Sequence, residues 1–301
     1  MKEFYKDNSI VIYNEDNLNV LQNIPDESVN LIYCDILYNT GKVFEDYNDN
    51  LGNPYQALAW YRRRIAHMHK VLCANGSIFL HCNWRLDSYI RILMDEIFGA
   101  ECFRNRIYRK HSNERGFYKN FDSQIDTILY YVKDPNNFIF NEIIEDRKHI
   151  VPLYENGFLE GRSETRYTKD GTAIDLKAQH KHWLISPKDF EALIQKNELR
   201  LVNGLPYRVS NIKPLGNLWC DSDMLDAYSR TAIADAYDTP KPEAILNNII
   251  SICSNEGDTV ADFFLGGGTT AVVTKKLNRK GIFCDISQKA CTVTVQKLKA
   301  L

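Results

Sequence analysis

Apolar positions along this chain alternate between two periods. Continuous apolar runs from Ser9 to Asn14, Val29 to Asp35, Ser77 to Cys82 and Ile125 to Val132 read as buried strands, and a further strand fits Cys102 to Arg109. Between them, apolar residues recur at helical spacing from Gln56 to Leu72 and from Trp84 to Phe98, and a short helix fits between the first two strands. Asn75-Gly76 is expected to close the first long helix and Gly99 the second. This alternation predicts an α/β fold, a Rossmann-like, mostly parallel sheet with helices on both faces.

The pattern fades after Asp134-Pro135-Asn136-Asn137. From about 141 to 230 periodicity is weak and Gly, Pro, Arg and Lys are frequent, which predicts an inserted subdomain. The α/β pattern then resumes with a helix from Pro242 to Ser254, carrying proline in its first turn. A strand (Asp258 to Phe263), a helix (Thr269 to Leu277), a strand (Lys280 to Asp285) and a helix from Ser287 onward follow. The expected organisation is one α/β domain built from residues 1–140 and 231–301, with 141–230 inserted between its halves.

Composition narrows the class. The chain has 301 residues, 44% hydrophobic and 25% charged, enough for a sizeable core and unlike a disordered chain. No apolar run reaches membrane-spanning length, and Met1 to Lys6 lacks the apolar core of a signal peptide, so a cytoplasmic protein is expected. The eight cysteines stand singly, with no Cys-x-x-Cys pair, which favours buried reduced thiols over disulfides or a metal site. The net charge of −2 neither demands nor excludes nucleic acid. One segment is locally basic: Arg104, Arg106, Arg109, Lys110, His111, Arg115 and Lys119, with Glu114 as its acid and Tyr108 among its aromatics. That mixture suits contact with a phosphate backbone, against the alternative of a plain solvated face. Arg162, Arg166 and Lys181 in the insertion, and Asn39, are further candidates for DNA contact.

Two short stretches carry the chemistry. Asp262 ends a strand and runs through Phe264 and the glycines Gly266 and Gly268 into a helix opened by Thr269 and Thr270. Such a turn allows close backbone approach and offers free N–H groups to a ligand. A second strand ends at Asp285, where an acid can bind ribose hydroxyls. By itself this pattern also fits a dinucleotide fingerprint, and so a NAD-dependent oxidoreductase. The other stretch is Asp35-Ile36-Leu37-Tyr38-Asn39 at a strand end: a carboxylate, two residues whose carbonyls are available, then an aromatic ring. That layout can hold an exocyclic amino group against the carboxylate, with the ring stacked on a flipped base. The alternative is a turn-capping acid and a core tyrosine.

Together these motifs resemble those of the S-adenosylmethionine-dependent amino-methyltransferases of DNA. The catalytic motif precedes the glycine turn, as in the circularly permuted beta class of that family. Thr239-Pro240-Lys241-Pro242-Glu243 is similar to the family's Thr-x-Lys-Pro-Glu element, whose lysine lies near the methionine carboxylate, and Asp16-Asn17 to the segment contacting the cofactor's adenine. His182-Trp183-Leu184-Ile185-Ser186 and Leu218-Trp219-Cys220-Asp221 resemble elements of a target-recognition region, although both tryptophans fit equally as core anchors. The resemblance implies methyl transfer to the N6 amino group of adenine in double-stranded DNA, because serine is commoner than Asp35's carboxylate in the N4-cytosine group. It also implies a bacterial or phage, nucleoid-associated enzyme, a separate restriction endonuclease partner and a homodimer. Ile36-Leu37 departs from the family's usual pair of prolines. That departure leaves a catalytically decayed DNA-binding homologue as an alternative and requires packing to hold the loop.

Overall fold

The computed structural model describes residues 2–43, 46–110, 123–212, 215–220 and 241–301. They form two compact units, residues 1–141 with 216–301 and residues 142–215. The larger unit begins with β1 (Tyr5–Lys6), β2 (Ile10–Asn14), α1 (Asn17–Leu21), β3 (Val29–Asp35), α2 (Pro54–Val71), β4 (Leu72–Cys82), α3 (Asp87–Phe98), β5 (Phe103–Lys110) and β6 (Ile125–Val132). The smaller unit contains β7 (Ile144–Pro152), β8 (Tyr154–Asn156), β9 (Arg166–Tyr167), β10 (Ala173–Ile174), β11 (Lys181–Trp183), α4 (Pro187–Gln195), β12 (Leu199–Val202) and β13 (Leu205–Ile212). The chain then returns to the larger unit with β14 (Leu218–Trp219), α5 (Glu243–Cys253), β15 (Thr259–Asp262), α6 (Thr269–Lys276), β16 (Lys280–Asp285) and α7 (Gln288–Lys299).

The larger unit carries a nine-stranded mixed sheet ordered β1-β2-β16-β15-β3-β4-β6-β5-β14. Its centre, β2 through β4, is parallel, and β6 runs antiparallel to both β4 and β5. Strands from the two ends of the chain therefore lie side by side, with β15 paired to β3 in the middle. Burial fixes this arrangement. Ile32, Cys34, Ile78 and Leu80 pack with Tyr61, Ile65 and Met68 of α2 and with Ile90, Leu93 and Met94 of α3. A second cluster joins Ile10, Ile12 and Phe283 to Ala271 of α6 and Leu298 of α7.

Local signals place the helix starts. Asn53 and Gln56 form a reciprocal capping box at α2, and Ser287 caps α7 through the Ala290 N–H at 3.1 Å. Gly99, with φ of +92°, ends α3. Asn75-Gly76 does not end α2. The helix stops at Val71 and β4 starts at once, with Leu72 paired to Val29. A Cβ on Gly76 would lie 2.8 Å from the Leu72 side chain and 3.0 Å from the Asn30 carbonyl, so this glycine permits close backbone approach inside a strand. Trp84 lies in the turn before α3 rather than in the helix.

The smaller unit is built on the antiparallel sheet β12-β13-β7 and a core of Leu153, Ile174, Leu176, Trp183 and Phe190. Trp183 is its central anchor, donating its ring N–H to the Glu164 carbonyl at 2.8 Å. Trp219 lies in the larger unit, because β14 pairs with β5.

Candidate functional site

The carboxyl ends of the parallel strands carry the candidate chemistry, as expected of an open α/β sheet. Asp35 pairs in register with His81 of β4, and the Ile36 N–H donates to the His81 carbonyl at 3.1 Å. The Tyr38 hydroxyl donates to Asp35 Oδ1 at 2.9 Å, and Lys241 Nζ lies 2.8 Å from Oδ2 and 3.2 Å from the Tyr38 oxygen. Burial, then the Asp35 charge, holds the Tyr38 hydroxyl well above its ordinary pKa, so it stays a neutral donor. Thr269, the first residue of α6, donates its hydroxyl to the Lys241 carbonyl at 3.2 Å. Lys241 thus joins the acid at the end of β3 to the start of the glycine-turn helix. Behind Asp35 lies a buried polar row. The Tyr33 hydroxyl and His81 Nδ1 share a 2.9 Å hydrogen bond, His81 Nε2 stands 3.5 Å from the Asp126 carboxylate, and Arg109 is 3.4 Å from the same oxygen.

The glycine turn is held largely by its own residues. Asp262, 2% exposed, accepts from the Thr270 hydroxyl at 2.6 Å and the Phe264 N–H at 2.9 Å. Burial pushes its carboxyl up to about 7, against the opposing pull of those two hydrogen bonds. The Gly266 N–H donates to Asp285 Oδ2 at 2.8 Å, so the turn reaches directly to the acid ending β16. Burial also raises the Asp285 pKa. Gly268 has φ of +78°, and a Cβ there would fall 2.2 Å from Thr294 Oγ1, so glycine is required both by conformation and by α7.

Asp16 and Asn17 meet a residue that sequence reasoning missed. Arg64 of α2 is buried, contacts Asp16 at 2.7 and 3.1 Å, and donates to Asn17 Oδ1 at 2.6 Å. Its guanidinium lies 3.4 Å from the Trp60 ring centroid. Asn17 in turn donates to the Phe263 carbonyl at 3.0 Å, and the Phe264 ring stands 6.1 Å from Trp60. Trp60 and Arg64 sit one helical turn apart, a pairing the i, i+4 spacing could have flagged. The structure thus gives Asn17, Asp262 and Thr270 bracing positions in the interior, while Asp285, Phe264 and Lys241 remain partly open.

The DNA-contact candidates divide. Arg106, Tyr108 and Lys110 on β5, and Arg162 in the smaller unit, reach solvent. Arg104 is partly exposed and bonds the Glu101 carbonyl. Lys181 is half-buried, 2.7 Å from Asn156 Oδ1. Three candidates are corrected by burial or by existing partners. Arg109 is 1% exposed and pairs with Asp126. Arg166 is buried against Trp183, bonded to Glu164 and to the Ile185 and Ser186 carbonyls. Asn39 has both ends of its amide bonded, to the Leu51 N–H and the Gly52 carbonyl. Arg115 and Lys119, with His111, Thr239, Pro240 and Asp221, lie outside the described residues.

Three further residues, Asp49, Tyr61 and His81, support the Asp35–Thr40 segment without any motif to announce them. Among the described residues, no helix is long and apolar enough to cross a membrane.

The chain is similar to several DNA methyltransferases. The type II methyltransferase M.EcaI of Enterobacter cloacae is 27% identical over 98% of this chain and 71% of its own length. The DNA adenine methyltransferase YhdJ of Escherichia coli is 27% identical over 95% of this chain and 82% of its own length. The solved structure of the PvuII DNA methyltransferase, described as cytosine-N4-specific, superposes with a TM-score of 0.59 at 14% identity, covering 98% of this chain and 88% of that one, a likeness of fold. The model of the N6/N4 DNA methylase family matches residues 29–296, and the chain belongs to that family.

Proposed function

We propose that this protein methylates the N6 amino group of adenine in double-stranded DNA, on a base turned out of the helix and held against Asp35. The observation that carries this reading is the Asp35–Lys241–Thr269 connection, which brings a carboxylate able to hold an amino group next to the glycine turn. S-Adenosylmethionine is the cofactor. The residues present fit it chemically. Asp285 suits ribose hydroxyls, Trp60 and Phe264 offer apolar walls to a purine, and the Lys241 ammonium suits a carboxylate. When bound, the cofactor supplies an electrophilic sulfonium methyl group.

The chain's own residues then act on the target amine, whose lone pair is delocalised into the ring and poorly nucleophilic. Asp35 Oδ2 already accepts a nitrogen donor at 2.8 Å, and in the reaction it accepts an N–H of the base. The Ile36 carbonyl accepts the second N–H. These hydrogen bonds draw the nitrogen toward tetrahedral geometry and stabilise the positive charge that develops there. Tyr38 stacks on the base. Arg104, Arg106, Tyr108, Lys110, Arg162 and Lys181 are proposed to face DNA. The order of the two motifs supports the beta-class assignment, and the type II relative supports a separate restriction endonuclease as partner.

Methyl transfer to the N4 amino group of cytosine is the second reading, since the same carboxylate and carbonyl would serve it. Radiolabelled transfer to unmethylated genomic DNA followed by nucleoside analysis distinguishes the two. Label in N6-methyladenine is expected, whereas label in N4-methylcytosine would reassign the base.

A further inference from the structure

The catalytic segment lacks the prolines that would stiffen it, yet it is pinned at several points by residues distant in sequence. The Tyr61 hydroxyl of α2 donates to the Leu37 carbonyl at 2.8 Å. Tyr61 is 1% exposed, and burial holds its hydroxyl protonated well beyond the ordinary range. On the far side of Tyr38, the buried Asp49 carboxylate accepts from the Asn39 N–H at 2.9 Å and from the Thr40 N–H at 3.0 Å. Asn39 has φ of +52°, a left-handed conformation that turns the chain back toward Asp49. The Asn39 amide closes the same loop onto Leu51 and Gly52. Ile36 is buried, with its N–H tied to β4. Among the described residues, the Ile36 carbonyl accepts no hydrogen bond, in contrast to that of Leu37.

We propose that Tyr61 and Asp49 are positioning residues for methyl transfer. Tyr61 takes the Leu37 carbonyl out of contention, Asp49 anchors the exit of the segment, and the Ile36 carbonyl is left as the acceptor beside Asp35. This inference rests on the methyltransferase reading and adds a mechanism of preorganisation to it. A flexible loop would sample orientations in which the wrong carbonyl, or neither, meets the amine, and misplacement by about 1 Å costs on the order of 100-fold in rate. Neither residue touches the base, so their loss acts on the rate of transfer rather than on cofactor binding. The interpretation also accounts for Ile36-Leu37 without invoking a decayed enzyme.

The test compares the full-length wild-type protein with Tyr61→Phe, Asp49→Asn and Asp35→Ala. The readouts are single-turnover transfer of labelled methyl to unmethylated genomic DNA, S-adenosylmethionine affinity by calorimetry, and thermal unfolding. Tyr61→Phe keeps the buried ring and removes one hydrogen bond, so transfer is expected to fall about 10- to 100-fold. Cofactor affinity is expected to change by less than about twofold, because no other contact is removed. Asp49→Asn is expected to act in the same direction. A purely structural role would lower affinity and melting temperature together and leave the rate of folded, saturated enzyme intact, which would overturn the proposal. A Tyr61→Phe rate within about twofold of wild type would overturn it as well. The control isolates the parent reading: if wild type is inactive or Asp35→Ala is active, the methyltransferase assignment fails. If only Asp35→Ala is inactive and Tyr61→Phe matches wild type, the positioning role alone fails.

Discussion

The Asp35 segment and the glycine turn lie at neighbouring strand ends but are stabilised in opposite ways. The glycine turn braces itself. Asp262 bonds Phe264 and Thr270 within eight residues, and Gly266 and Gly268 supply the positive φ values, with Asp285 as its partner on the next strand. The Asp35 segment borrows its shape from elsewhere: Lys241, Tyr61, Asp49 and His81 hold it, at separations of up to about two hundred residues. Local bracing requires particular residue types at fixed spacing, so it leaves a recognisable motif. Distant bracing requires only that a suitable donor arrive at the right place, so the local sequence can drift. Ile36 and Leu37, where the family's pattern usually has prolines, stand in a segment held in this second way.

The strongest way to break the comparison is at the acid itself. Asp35→Ala is expected to lower transfer at least about 1000-fold while cofactor affinity stays within about threefold, since no bond of the glycine turn is touched. Parallel loss of affinity would mean that the two regions are one cooperative structure.

Next in size is a pH effect of the self-braced turn. The folded Asp262 carboxyl titrates at about 7, against 3.8 ordinarily, so the folded state holds a proton that the unfolded state releases between those values. Its contribution to stability is complete below about pH 3.8 and is lost as pH rises through about 7. Asp262→Asn removes this term. Between pH 4 and 7 wild type should therefore lose stability relative to the variant, on the order of a few kcal/mol, in denaturant titrations. Parallel curves would show that Asp262 is ionised throughout.

Arg64 sharpens the contrast, because it braces Asp16 and Asn17 from a distance. Arg64→Met keeps the packing on Trp60 but removes the bonds to Asp16 and Asn17. Cofactor affinity is expected to weaken about tenfold with transfer at saturation unchanged, a change in KM without a change in kcat. A fall in kcat alone would place Arg64 with the Asp35 segment instead.

The smallest effect separates two neighbours on β5. Lys110→Ala is expected to flatten the salt dependence of DNA binding by about one unit of slope with little change in stability. Arg109→Met leaves Asp126 buried without this partner, so it should destabilise the fold by roughly 3–5 kcal/mol without changing the slope.

How much of this was legible follows the same division. Strands Val29–Asp35, Ile125–Val132 and Lys280–Asp285 could be bounded from apolar runs alone, because a strand buried on both faces has a continuous apolar signature. Asn75-Gly76 misled, since a glycine before an apolar run signals a helix end and a close strand approach alike. The basic segment misled at Arg109 because alternation along β5 turns one arginine inward, and charge counting is blind to which face a strand buries.

By itself the sequence determined the α/β plan, the acid-x-x-aromatic motif, the glycine turn and the family, because each is written in residues close together along the chain. Only the tertiary structure decided that Lys241 meets Asp35, that Arg64 clamps Asp16 and Asn17, and that Tyr61 and Asp49 bond the backbone on either side of Tyr38. Those contacts depend on how parallel strands from both ends of the chain align and on which helix face packs over them. That alignment is set by burial summed over the whole sheet, and no short stretch of sequence encodes it.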